Sequence, residues 1–186
     1  MKDRKLTAPE MGRLSVEEYR SRKGGGAVVV LDNVRSAYNV GSAFRSADAF
    51  GADKVLLCGI CAVPPSAEIH KTALGAEEAV PWEHYADTLE AVAALKAEGY
   101  TVVAVEQTVN SIKLKAGGST CLRGYSLPGR APRKYAFIFG NEVEGVQQSV
   151  VDASDFCLEI PQHGTKHSLN VAVTVGIVLF ATSPAR

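Results

Sequence analysis

Side chains able to hold or move charge collect where helices and strands should end, which is where ligands usually meet a fold. One run, Gln162 to His167 (QHGTKH), precedes an apolar segment from Leu169 to Ala181; Ser168 and Asn170 are the strongly polar side chains at its start. A second, NEVEG, follows the strand-like YAFIFG and sets Asn141 and Glu142 between Gly140 and Gly145. A carboxylate in a glycine-bounded turn at a strand's carboxyl end suits a backbone-rich ligand cradle, although an ordinary tight turn has the same composition. A third sets Asn39 and Arg45 in a helix-patterned run, from which Arg45 would have to reach back towards the preceding strand's carboxyl edge to touch a ligand. Finally, positions 111–134 carry Lys113, Lys115, Arg123, Arg130, Arg133 and Lys134 with no acidic residue. That loop is either a solvated linker or a phosphate-contacting surface.

Two arrangements invite a metal but lack its pattern. Cys58 and Cys61 form a C-x-x-C with no second pair at zinc spacing, and they close a strand-like run where buried thiols are ordinary. His163 and His167 stand four apart, but Gly164 and polar neighbours speak against a ligating helix face. The reading is therefore of no metal, with a zinc or redox protein as the poorer rival.

The elements that must position these groups alternate. Ser15 and Glu18 form a capping box for a helix over about 15–22. AVVVLD is a strand covered on both faces. Asn39 is placed to cap a helix whose apolar positions are Val40, Ala43, Phe44, Ala47 and Phe50, ended by Gly51. Strands follow at KVLLCG, AVPWEHY, YTVVAVEQ, YAFIFG and Phe156 to Ile160, with helices at IHKTALGA, at DTLEAVAALKAEG and around 146–151. Ser168 is the expected N-cap of the last helix, which is apolar nearly all round and so should be buried on more than one side. Strands alternating with helices give an α/β fold with a mostly parallel sheet and flanking helices. No G-x-G-x-x-G links a strand to a helix, which disfavours a nicotinamide or flavin site.

The 186 residues suffice for one domain with a real core. Twenty basic and twenty acidic residues cancel, so nucleic-acid binding must use local patches. Residues 1–23 lean basic, with seven Lys and Arg against four Asp and Glu, and read as a frayed arm or one that touches a polyanion. No signal-peptide pattern or membrane-length apolar run is present, which makes cytoplasmic the default.

Asn39 to Arg45 (NVGSAFR), Phe139 to Gly145 (FGNEVEG) and Ile160 to Val171 (IPQHGTKHSLNV) stand in the order of three motifs. Together they resemble those of the SpoU/TrmH family, S-adenosylmethionine-dependent RNA 2′-O-ribose methyltransferases of the SPOUT superfamily. The resemblance spans about 26–182 and divides the chain into a basic arm (1–25) and a methyltransferase domain (26–186). It implies a C-terminal trefoil knot, a homodimer, and a cofactor held by Gly140, Asn141, Gly145, Ile160, Ser168 and Leu169. It implies that Asn39, Arg45, Glu142, Ser168 and Asn170 serve catalysis, with Arg45 also at the RNA beside the basic loop. Arg45 is sometimes assigned as general base in this family, but a guanidinium stays protonated, and orienting a phosphate suits it better. Glu142 would organise its turn or accept from Arg45. The third motif departs from the usual pattern at Gln162 and His163. Structured RNA is the expected substrate, transfer RNA ahead of ribosomal RNA, with a non-catalytic RNA-binding protein as the alternative.

Overall fold

A computed structural model describes residues 3–7, 9–22, 26–114 and 134–182. Lys115, Arg123, Arg130, Arg133 and Cys121 lie outside the described residues.

Seven strands, β1 (Val28–Asp32), β2 (Lys54–Cys58), β3 (Trp82–Tyr85), β4 (Thr101–Val105), β5 (Ile112–Lys113), β6 (Tyr135–Phe139) and β7 (Phe156–Glu159), form one sheet. Its order is β3-β2-β1-β6-β4-β7-β5, and every neighbouring pair is parallel. A parallel sheet sends all its carboxyl ends to one edge, so the loops after β1, β4, β6 and β7 share that edge. β5 corrects the reading of 111–134 as loop from its start. Ile112 and Lys113 pair with Leu158 and Glu159, and the next residue, Leu114, is buried. A two-residue strand has no periodicity to betray it.

Successive strand residues face opposite layers, and helices cover both. Val29, Leu31, Phe137 and Phe139 meet α2 (Ala37–Phe50), α3 (Ala67–Ala73) and the last helix, α7 (Val171–Thr182). Val28, Val30, Ala136 and Ile138 meet α5 (Thr88–Ala97) and α6 (Gln148–Ala153). Each such side chain contributes roughly 1.5–3 kcal/mol by leaving water.

Several helix ends differ from expectation. α2 is capped by Ser36, whose hydroxyl accepts from Asn39 N–H, so Asn39 lies inside the helix with its amide free to point elsewhere. α7 begins at Val171, and its capping side chain is Asn170, not Ser168; the Asn170 Oδ1 accepts from Ala172 N–H at 2.9 Å. Among the described residues nothing covers one side of α7, where Val173 and Phe180 are exposed. The capping box at Ser15 and Glu18 is formed and opens α1 (Val16–Ser21). α1 is docked, not frayed: buried Tyr19 donates to Ala52 C=O at 2.8 Å, and Arg20 donates to the Glu78 carbonyl of α4 (Ala76–Ala79).

Cys58 and Cys61 are buried at the end of β2. The Cys61 thiol accepts from Val34 N–H and donates to Leu31 C=O, so both its roles are taken by backbone. Burial, the largest influence, pushes Cys58 up to about 12 and Cys61 up to about 11. The folded chain therefore keeps both protons above pH 9, where unfolded thiols begin to lose theirs. The stability this confers falls as pH rises from 9 through 11 and 12. Mass-spectrometric mapping after iodoacetamide at pH 8 should find Cys58 and Cys61 unlabelled in folded protein and labelled in urea; rapid native labelling of both would contradict this placement.

Candidate active site

The site is assembled at the carboxyl edge of the sheet, beginning with the turn after β6. Asn141 is 8% exposed, and its Oδ1 accepts from Val143 N–H and Glu144 N–H, each at 2.9 Å. This Asx-type turn is closed by paired backbone bonds between Asn141 and Gly145. Gly145 holds φ 71, which disfavours other residues. A Cβ at position 140 would overlap the backbone of Gly145 and Val146, so the chain doubles back on itself with no room for a side chain.

Two carboxylates that sequence reading did not single out fix this turn. Asp32, fully buried at the end of β1, accepts from Thr88 Oγ1 (2.6 Å), Asn33 Nδ2 (2.9 Å), Gln147 N–H (3.0 Å) and Gln147 Nε2 (3.1 Å). Glu106, just past β4, accepts from Gln107 N–H and Val146 N–H. Four donors let Asp32 remain buried, since an unpaired carboxylate there would be prohibitive. Their signal was available: each acid ends a continuous apolar strand run.

The three singled-out stretches then meet through side chains. Asn39 Nδ2 donates to Glu142 Oε1 at 2.6 Å, and Asn170 Nδ2 donates to Asn39 Oδ1 at 3.1 Å. Asn170 in turn holds the first turn of α7. Glu142 is thus bonded to Asn39, and not to Arg45 as the resemblance had allowed. The chain of bonds spans sequence separations of 103 and 131 residues.

Beside this bridge lies a cleft of about 470 Å³, a size suited to a small ligand. Gly140, Asn141, Gly145, Ile160, Ser168 and Leu169, all expected at the cofactor, line it together with Glu142 and Asn170. Gln162 also faces it, whereas His163 does not. Glu106, Glu142, Glu144 and Glu159 are in its walls, with no lysine or arginine from the described residues. Such a lining favours a ligand carrying positive charge.

Arg45 is placed elsewhere. It is exposed on α2 and lines a separate open groove with Ser42, Ser46, Lys71 and Thr72. Two cations and three hydroxyls give that groove the opposite preference, for anions. Lys113 is exposed on β5, and Lys134 sits before β6 with its ammonium over the Tyr100 ring.

Residues 26–180 match the sequence profile of the SpoU rRNA Methylase family. The chain belongs to this family. It is similar to the 23S rRNA (guanosine-2′-O-)-methyltransferase RlmB of Nitrosomonas europaea, 32% identical over 159 residues, covering 83% of this chain and 55% of that protein. A putative TrmH family tRNA/rRNA methyltransferase of Staphylococcus haemolyticus is 28% identical over 165 residues, with 89% and 61% covered. Among solved structures, the AdoMet-bound rRNA methyltransferase of Sinorhizobium meliloti superposes with TM-score 0.72 at 29% identity, covering 88% of this chain and 59% of that one. The chain thus spans somewhat over half the length of these SpoU-family relatives. The parallel sheet with its flanking helices is the fold of this family.

Asp32→Ala leaves Thr88 and both Gln147 donors without their acceptor, and is expected to cost about 3 kcal/mol. Urea denaturation should show a lower midpoint at unchanged slope; an unchanged midpoint would refute the clamp.

Proposed function

We propose that this chain transfers the methyl group of S-adenosylmethionine to a ribose 2′-hydroxyl of structured RNA. The observation that carries the proposal is the Glu142–Asn39–Asn170 bridge, which gathers the three family motifs at the rim of an acidic cleft. The cofactor fits that cleft on physical grounds. Its sulfonium and ammonium groups are cationic, in keeping with the surrounding glutamates. Gly140, Asn141, Gly145, Ile160, Ser168 and Leu169 would hold it.

When bound, the cofactor supplies a methyl group already activated by its positive sulfur, so the protein's share is placement and exclusion of water. Asn39, with both ends of its amide occupied, fixes the rim on which the ribose rests. Glu142 and Asn170 lock it, and Ser168 offers a hydroxyl to the incoming nucleotide. Arg45, with Lys71, grips a phosphate in the neighbouring groove and thereby sets the angle of the 2′-oxygen. Lys113 belongs to the same reading, as do Lys115, Arg123, Arg130 and Arg133 outside the described residues, whereas Lys134, before β6 and over Tyr100, lies at the opposite, amino edge of the sheet.

For the RNA, the ribosomal guanosine named for the Nitrosomonas relative makes 23S ribosomal RNA the first substrate to offer, ahead of transfer RNA. A homodimer completes the proposal, since exposed Val173 and Phe180 on α7 form an apolar strip that a second copy would cover. The C-terminal trefoil knot, the division into a 1–25 arm and a 26–186 methyltransferase domain, and a cytoplasmic location belong to the same reading. None of the described helices is long and apolar enough to cross a membrane.

Labelled methyl from S-adenosylmethionine, offered with unmodified ribosomal or transfer RNA, should appear as 2′-O-methylnucleoside in one fraction. Asn39→Ala should lower kcat by about 100-fold or more while cofactor affinity changes little, because it disorders the rim rather than the cradle. Wild-type rates in that variant would sink the role of the bridge. Cofactor binding without transfer to either RNA would favour the non-catalytic alternative.

A further inference from the structure

Away from the cleft, the corner between α3 and α4 brings three ionisable side chains together. Ser66 caps α3, and Leu74 ends it in the left-handed conformation at φ 54. Gly75, at φ 90, turns the chain directly into α4. This tight reversal sets His70 in the last turn of α3 against Glu77 and Glu78 at the start of α4. One potential ligand atom from each of the three lies within 4.8 Å of the others.

The geometry is more particular than a chance meeting of surface charges. His70 Nδ1 is 2.6 Å from Glu77 Oε1, and the Glu77 side chain is only 8% exposed. Its other oxygen, Oε2, is buried and has no hydrogen-bond partner among the described residues. A buried acceptor left unsatisfied is rare and calls for a partner, and a cation is one that a carboxylate beside an imidazole can hold. Arg20 donates to the Glu78 backbone carbonyl rather than to either carboxylate.

We propose that His70, Glu77 and Glu78 form a binding site for a divalent transition ion of the zinc class. One imidazole nitrogen and two carboxylates are a mixed N/O donor set that zinc accepts at about 2.0–2.2 Å per bond, leaving a fourth position for water. Neighbouring donors around such an ion stand roughly 3.3–3.6 Å apart. The His70–Glu77 pair therefore opens by under about 1 Å to admit it, a movement the 64%-exposed imidazole can make. The ion takes the position between the imidazole and the Glu77 carboxylate, whose unpartnered Oε2 joins Oε1 in holding it, and Glu78 closes the third position from the solvent side. The site braces a corner that matters to the rest of the molecule. Thr72, two residues from His70, donates to Tyr38 C=O at 2.9 Å, tying α3 to the helix that carries Asn39 and Arg45. Lys71 and Thr72 themselves line the anion-favouring groove.

Zinc chloride titrated into the EDTA-stripped full chain, followed by calorimetry and thermal unfolding, tests this. One ion per chain is expected, with the melting temperature rising about 5–10 °C at roughly 100-fold excess over Kd. Glu77→Gln and His70→Ala should each weaken binding by about tenfold or more, and unchanged circular dichroism establishes that both variants fold. Cobalt supplies an independent reading, since nitrogen and oxygen ligands give visible d–d bands without the thiolate charge-transfer band that the cysteines would produce. Absence of binding, binding unchanged in both variants, or a thiolate band would overturn the site.

Discussion

The carboxylate of Asp32 is the contact on which the arrangement of the cleft depends. It closes β1, meets the first residue of α5, and receives both the backbone and the side chain of Gln147. A carboxylate buried at the end of a central strand is tolerable only when hydrogen bonds replace its lost water, and these donors come from two segments far along the chain. Their convergence makes the carboxylate a junction. Were Gln147 to swing away, the turn from Gly140 to Val146 would lose one anchor and keep only those through Glu106 and Asn39.

From that junction the site is built outward with little freedom. Glycine at 140 lets the turn lie against its own return strand, and the glutamates that follow from it give the cleft its sign. The groove around Arg45, on α2, has the other sign. A cationic ligand and an anionic one would thus be drawn to different surfaces. Charge separation at this scale is invisible in a net charge of zero.

Much of this was legible in the sequence, and the parts that were not share a cause. Continuous apolar runs marked the buried strands, and the three polar stretches marked the loops that join at the edge. Asn39 and Ser168 were misread as caps because Ser36 and Asn170, a few residues away, are equally good ones, and local preference does not choose between neighbours. The exchange matters: a capping Asn39 would have its side chain tied to its own helix and could not reach Glu142. Asp32 and Glu106 each end an apolar strand run, but the partners that make them clamps, Thr88, Gln147 and Val146, are far away along the chain. The uncovered side of α7 was hidden because hydrophobicity reports that a face will be covered and not by what.

Asn170 has two duties, holding the first turn of α7 and gripping Asn39. Helix formation and rim assembly are therefore a single event, which bears on biosynthesis. A ribosome delivers α2 and the glutamate turn long before the segment that joins them, and the nascent chain holds them apart in the meantime. Until residues beyond 170 leave the exit tunnel the rim is unfinished, so a growing chain has no completed site to present to the RNA crowded around its own birthplace.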